Sequence, residues 1–144
     1  MVAMMKLACL WLTFASAAAT YSYVMFELHA VRDSWADIVQ LSEFRLYNQD
    51  GTEIAISDAD NPGGDSPSGE DADKAIDGWM GTKWLDFNEG NLVFTLASPT
   101  SAVGSYDWAT ANDETGRDPT RWTCLLYTSP SPRDRTRSRM PSSA

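Results

Sequence analysis

The chain has 144 residues with 20 acidic and 11 basic side chains, which gives a formal net charge of −9 at pH 7. A surface this acidic repels phosphate groups, so the composition argues against nucleic acids and anionic membranes as partners. The length is sufficient for one domain.

Residues 1–19 have the features of a secretory signal peptide. A basic residue precedes the apolar run Leu7–Phe14, and small residues follow it. The run is too short to span a bilayer, and a buried N-terminal helix is disfavoured because nothing in the sequence caps it. We therefore predict cleavage between Ala17 and Thr20 and an extracellular protein without a transmembrane segment.

The chain beyond this segment is predicted to be rich in β-strands. Tyr21–Val31 alternates apolar and polar residues, the pattern of a half-buried strand. Val39–Tyr47 has the same character, but its apolar positions shift by one residue, which predicts a bulge near Ser42. An Asp-Gly turn at Asn48–Gly51 leads into a short strand over Thr52–Ile56.

Candidate catalytic residues in these strands have simpler structural interpretations. His29, the only histidine, falls on the outward-facing set of its strand without a paired nucleophile, so we expect an ordinary surface residue. Glu43 and Arg45 share one face of a strand, where a structural ion pair is favoured over a catalytic acid. The sequence contains no triad, P-loop or metal-hydrolase motif, and we predict that the protein is not an enzyme.

Trp35 lies in the polar connection Arg32–Ile38. An aromatic residue in such a loop serves either as a platform on which a sugar stacks or as a plug over the end of the domain. The plug is favoured because aromatic side chains bury a large area.

The long loop Ser57–Asp73 contains Asp58 and Asp60 at calcium-loop spacing. An EF-hand is excluded because its twelfth position would be Gly69 instead of glutamate. A solvated loop is therefore favoured, and contact with a metal stays open if the loop folds over the mouth of the domain.

The segment Asp73–Phe87 contains Ala-x-Asp-Gly at Ala75–Gly78 and Thr-x-Trp at Thr82–Trp84. Asp-Gly within an apolar surrounding marks a tight turn. Asp77 and Thr82 place hard oxygen atoms in one short loop, which is what Ca²⁺ prefers. On spacing alone, a polar turn anchored by apolar neighbours is favoured over a cation site.

Two further strands are predicted at Asn91–Leu96 and Val103–Asn112. After them, Arg117 and Asp118 have the spacing of an ion pair that orders a loop, and the following proline fixes a turn. Trp122 is expected to begin the next core strand.

From Cys124 the chain becomes basic, rich in serine and proline, and without periodicity. Both halves of 124–144 resemble the translation, in one frame, of a sequencing-library transposon adapter and the sequence after it. We predict a non-native read-through tail that does not pack on the domain, a domain over 20–123, and a native chain that continued beyond Thr123. The alternative is a natural disordered basic tail.

Residues 20–123 contain 19 acidic and 6 basic side chains, so the predicted domain is more acidic than the whole chain. This balance suits calcium-rich extracellular surroundings. Both cysteines, Cys9 and Cys124, fall outside this range, so no disulfide is predicted.

Three segments in this order together resemble the galactose-binding-like, discoidin-type domains of the coagulation-factor C-domain group. They are Gln-Leu-x-Glu at Gln40–Glu43, the Ala75–Trp84 segment, and Asn-Asp…Arg-Asp-Pro-x-x-Trp at Asn112–Trp122. The resemblance covers about Tyr21 to Thr123. It implies an all-β fold, an antiparallel jelly-roll β-sandwich, which here is incomplete at its C-terminus because the family's later strands are missing.

The resemblance also implies a function. It suggests a structural Ca²⁺ held by Asp77, Thr82 and the carbonyl of Ala75, with Trp35 and Trp79 as surfaces on which sugars stack and Arg117 as a hydrogen-bonding neighbour. The expected function is non-catalytic recognition of glycans or cell-surface glycoconjugates. The alternatives are a binding module appended to a larger extracellular hydrolase, or a protein–protein adhesion module.

Overall fold

The computed structural model describes residues 19–128 and the backbone of 137–139. Apart from Ala19, the predicted signal peptide lies outside the described residues. No helix in the described part of the chain is long and apolar enough to cross a membrane. The strands are β1 Tyr21–Val31, β2 Val39–Leu41, β3 Glu43–Asn48, β4 Glu53–Ile54, β5 Ile56–Asp60, β6 Trp84–Asp86, β7 Leu92–Thr100, β8 Val103–Ala109, β9 Pro119–Tyr127 and β10 Arg137–Arg139.

The strands form antiparallel sheets. One sheet has the order β10-β9-β1-β7-β5, a second has the order β4-β3-β8, and β2 pairs with β6. Every pairing among the described residues is antiparallel. The prediction of an all-β, antiparallel fold is confirmed.

Aromatic side chains join the two larger sheets face to face. Phe44 of β3 stacks on Phe94 of β7 with ring centroids 4.3 Å apart. Phe26 of β1 meets the same Phe44 edge-on at 6.1 Å. Aromatic pairs in these geometries stabilise a core beyond the area they bury. The resulting arrangement is sandwich-like, with the apolar faces of both sheets turned inward.

The irregularity predicted near Ser42 is present as a break between two strands. β2 pairs with β6, whereas β3 pairs with β8, so the chain changes partner at Ser42. The break allows Leu41 and Phe44, which are three residues apart, both to enter the core. Strict alternation would bury only one of them.

The predicted loop Ser57–Asp73 starts too early, because β5 continues through Asp60. Ala59 of β5 pairs with Phe94 and packs against the core, whereas Asp58 and Asp60 are exposed. The two aspartates are therefore the outward positions of an edge strand, where charge discourages pairing with other chains.

The two strands predicted after the Asp77 segment exist with different bounds. β7 runs further than predicted, to Thr100, which lies opposite Tyr21 at the start of β1. β8 ends at Ala109, three residues before the predicted end.

The expectation that nothing from Cys124 onward packs on the domain is wrong for Cys124–Tyr127. These four residues are buried and continue β9 along β1, with Cys124 opposite Phe26 and Leu126 opposite Val24. β10 in turn pairs with this end of β9. The origin of the segment stays a prediction, since an apolar run of strand-forming residues packs on a sheet whatever its history.

The burial of Cys124 makes its thiol a probe of this packing. Burial raises the pKa of Cys124 to about 12, and the thiolate is the reactive form. In a Cys9→Ser variant, we expect a disulfide reagent at pH 8 to label Cys124 in native protein at least about a hundredfold more slowly than in denatured protein. Equal rates would show that β9 stops before Cys124.

Candidate functional site

The segment Asp77–Thr82, called the Asp77 turn below, is a closed hydrogen-bonded loop between a 3-10 helix (Ala72–Ala75) and β6. The backbone N–H of Trp79 donates to Asp77 Oδ1 at 3.0 Å, and the N–H of Thr82 donates to the carbonyl of Trp79 at 3.0 Å. Gly78 has a φ of 78°, which favours glycine. Ala75 is fully buried and anchors the preceding helix. The turn is therefore rigid and fixed to the core.

Four oxygen atoms converge within this turn. Thr82 Oγ1 lies 2.8 Å from Asp77 Oδ1, 2.9 Å from Asp77 Oδ2 and 2.8 Å from the carbonyl oxygen of Trp79. One hydroxyl carries one proton and can donate to only one of three acceptors. The structure thus brings Asp77 and Thr82 together and leaves an excess of acceptor oxygens at one point.

The charge of Asp77 is partly compensated by a neighbouring lysine. Lys74 Nζ lies 3.7 Å from Asp77 Oδ2 and 3.1 Å from Asp73 Oδ2. Burial raises the pKa of Asp77, but the Thr82 hydroxyl, the Trp79 N–H and Lys74 outweigh it and hold the pKa below its ordinary value. Asp77 is accordingly ionised at neutral pH. Within the described residues, no group of three or more His, Cys, Asp and Glu side chains is arranged to hold a metal ion.

Glu43 fixes the turn to the sheet, a role that the sequence did not indicate. The Gly78 N–H donates to Glu43 Oε1 at 2.6 Å, and Glu43 is only 4% exposed. Burial raises the pKa of Glu43, the Gly78 N–H opposes this shift, and the nearby charge of Asp77 adds to it. The predicted Glu43–Arg45 ion pair is wrong, because Glu43 faces the Asp77 turn, where it accepts from the Gly78 N–H, and no Glu43–Arg45 salt bridge forms in the described part of the chain.

Trp79 projects from the turn into solvent. Its side chain is 71% exposed, and its neighbour Met80 is 52% exposed. The indole lies over Gly81, since a methyl group at that glycine would be 2.6 Å from Trp79 Nε1. Trp79 does not plug the loop; its ring presents an open face on the Asp77 turn.

The prediction that Trp35 plugs the end of the domain is wrong, because this side chain is 90% exposed. Trp35 precedes Val39, which pairs with Asp86, whereas Trp79 precedes Trp84, which pairs with Leu41. The two tryptophans therefore approach the short β2–β6 ladder from opposite ends, and the structure does not combine them into one site.

Arg117 does not form the predicted pair with Asp118. Asp118 pairs instead with Arg32, whose Nη2 lies 3.5 Å from Asp118 Oδ2. Arg117 ends the 3-10 helix Thr115–Arg117, and only its backbone N–H, which donates to the carbonyl of Glu114, is bonded within the described region. The structure joins Arg117 to neither tryptophan.

Lys83, which directly follows the Asp77 turn, is buried and holds Asp113 beside that turn. Lys83 Nζ donates to Asp113 and, at 3.2 Å, to Gln40 Oε1, with Glu70 Oε1 at 3.8 Å. Lys83 holds the pKa of Asp113 below its ordinary value. Asn112 Nδ2 donates to the carbonyl of Gly81 at 3.4 Å. Asn112 and Asp113 therefore form a polar wall next to Trp79. Sequence reasoning missed Lys83 because its partners are at least 13 residues away along the chain.

No protein-family model, curated protein or solved structure gives a significant match to this chain.

The burial of Glu43 under the Asp77 turn predicts a dependence of stability on pH. The native state keeps the Glu43 proton to higher pH than the unfolded state, so this residue's contribution to the unfolding free energy falls as pH rises above about 4.5. Glu43→Gln keeps an acceptor for Gly78 and removes this pH dependence. Glu43→Ala leaves the Gly78 N–H without its acceptor and should lower the free energy of unfolding by about 1–3 kcal/mol.

Denaturant unfolding between pH 4 and 8, in the presence of chelator, measures both effects. Glu53→Gln is the matched control, because Glu53 is exposed on β4. If Glu43→Gln and Glu53→Gln have the same pH profile as wild type, the pKa of Glu43 is not raised in the folded protein. If Glu43→Ala is as stable as wild type, Glu43 does not fix the turn.

Proposed function

We propose that the chain is a secreted, non-catalytic recognition domain that binds glycans or cell-surface glycoconjugates through Trp79. The observation that carries this proposal is the 71% exposed indole on the Asp77 turn. A large aromatic ring exposed on a rigid support is pre-organised for binding, since no side-chain or loop ordering remains to oppose it.

The chemistry around Trp79 favours a sugar. The indole face provides an apolar surface for the C–H face of a pyranose, and the side chains beside it provide hydrogen bonds for hydroxyl groups. Asn112 and Asp113, both exposed, lie next to the turn through the contact of Asn112 with Gly81. The acidic surroundings favour neutral sugars over sulfated or sialylated ones.

We further propose that the Asp77 turn holds a structural Ca²⁺. The residues fit such an ion, because the Asp77 carboxylate, the Thr82 hydroxyl and the Trp79 carbonyl are hard oxygen donors in close contact. The Ala75 carbonyl is the further ligand that the discoidin-type resemblance suggests. A bound cation would relieve the excess of acceptors in the turn and hold Trp79 more firmly.

We also propose that the fold is a jelly-roll of the galactose-binding-like, discoidin type. The sandwich-like packing of antiparallel sheets supports this fold, as does the order of the three sequence segments.

Two other functions remain as alternatives. Met80 beside Trp79 provides an apolar patch that suits a protein–protein adhesion module. A module appended to an extracellular hydrolase would use the same turn to bind the substrate of its enzyme. A glycan array distinguishes the adhesion module, which gives no glycan signal, from the other two.

Trp79→Ala should remove glycan binding. On a glycan array and then by calorimetry with the best ligand, we expect a loss of affinity of about tenfold or more. Gly81→Ala should also weaken binding, because the new methyl group displaces the indole. Trp35→Ala is the control and should bind as wild type does. Unchanged binding by Trp79→Ala would contradict the proposal.

Calcium should stabilise the fold through Asp77. At a hundredfold excess over its dissociation constant, Ca²⁺ should raise the unfolding free energy by about 2.7 kcal/mol, which thermal unfolding with Ca²⁺ and with chelator measures. Asp77→Ala should not respond to Ca²⁺, whereas Asp58→Ala, which alters an exposed aspartate of β5, should respond as wild type does. If the thermal unfolding midpoint of the wild type is the same in Ca²⁺ and in chelator, the Asp77 turn holds no structural Ca²⁺.

A further inference from the structure

Trp35 lies on a second exposed surface, away from the Asp77 turn. Its side chain is 90% exposed, and Phe87 is 45% exposed. The loop that carries Trp35 is well held: Asp33 N–H donates to the carbonyl of Gly116 at 2.7 Å, and Asp33 Oδ1 accepts from the Trp35 N–H at 2.9 Å. The exposure of the indole is therefore a property of an ordered loop.

The pairing of β2 with β6 brings this loop to the segment after β6. Val39 lies opposite Asp86, so the antiparallel pairing brings the residues just before Val39 and those just after Asp86 to the same end of the ladder. The charges of Asp37 and Glu89 act on each other, which agrees with this placement. We call Trp35, Phe87, Asp33, Asp37 and Glu89 the Trp35 surface.

The segment that presents Glu89 is fixed from below by Asp86. The buried Asp86 carboxylate accepts from the N–H groups of Asn88 at 3.2 Å and Gly90 at 2.5 Å. Glu89, between these donors, has a φ of 48°, the single positive φ of a non-glycine residue in the described part of the chain. The backbone that carries Glu89 thus has a defined position at the edge of the Trp35 surface.

The charges of this surface select a cationic partner. Asp33, Asp37 and Glu89 are all exposed. Arg32 is already engaged with Asp118 and with the carbonyl of Thr115, so Arg117 is the nearby basic residue without a side-chain partner in the described region. An indole face with carboxylates around it attracts ammonium and guanidinium groups by cation–π and charge interactions together. Because the three carboxylates are separate, a partner with several basic side chains fits this surface better than a partner with a single basic group.

We propose that the Trp35 surface binds a basic protein segment, with a lysine or arginine side chain over the Trp35 indole and further basic side chains near Asp37 and Glu89. This interaction is separate from the proposed glycan binding, because it uses neither Trp79 nor the Asp77 turn. Charge complementarity argues for this partner, since an acidic rim repels anionic ligands.

Titration of the full chain with tetra-arginine tests the proposal, with tetra-serine as the neutral probe. The readouts are calorimetric affinity and the Trp35 indole N–H signal in NMR spectra, assigned with Trp35→Phe. We expect binding of tetra-arginine alone, a shift of the Trp35 signal, and affinity that falls with added salt. Trp35→Ala should weaken binding about threefold or more, and Glu89→Gln should weaken it as well. Arg117→Gln should strengthen it.

Trp79→Ala is the matched control and should bind tetra-arginine as wild type does. Binding that weakens with salt but is equal in wild type and Trp35→Ala would be general attraction to an acidic protein and would overturn the proposal. Binding only to phosphatidylcholine vesicles, with no response to tetra-arginine, would overturn it in favour of a lipid headgroup. Because Trp35 is exposed, circular dichroism of Trp35→Ala should match wild type.

Discussion

The stack of Phe44 on Phe94, with centroids 4.3 Å apart, is the contact on which the rest of the arrangement depends. It turns Phe44 inward, and alternation along β3 then turns Glu43 outward. The outward Glu43 meets the Gly78 N–H at 2.6 Å and so fixes the Asp77 turn to the sheet. The break at Ser42 makes this register compatible with burial of the preceding strand. The position of the Asp77 turn is therefore a consequence of core packing.

The features that could be predicted from the sequence are local ones. The period of two in β1 predicted its buried face, and the shift in apolar positions predicted the irregularity at Ser42. Asp77 and Thr82 were expected to meet because a glycine between them permits a tight turn, and they do meet, at 2.8 Å. In each case the determining interactions lie within a few residues, where backbone geometry leaves few choices.

The features that the sequence did not indicate depend on contacts between distant segments. Asp118 was assigned to its neighbour Arg117, but Arg117 ends a 3-10 helix and Asp118 follows in extended backbone, next to Arg32 at the end of β1, which pairs with it instead. The burial of Cys124–Tyr127 was missed because a change in composition was given more weight than four apolar or aromatic residues that suit a strand beside β1. Trp35 was expected to be a plug from the average burial of aromatic residues, which takes no account of the charged loops that keep it in solvent.

Two lysines near the Asp77 turn have different roles in it. Lys83 is buried and bonded to Asp113, so it holds Asp113 in place beside the Asp77 turn. Lys74 is partly exposed and lies 3.7 Å from Asp77, and such a pair contributes little because water screens it. Lys74 can therefore leave Asp77 at small cost, and a divalent cation in the proposed site would meet a carboxylate that is already ionised. The turn thus combines a carboxylate held by hydrogen bonds within the turn with a counter-charge that can be exchanged.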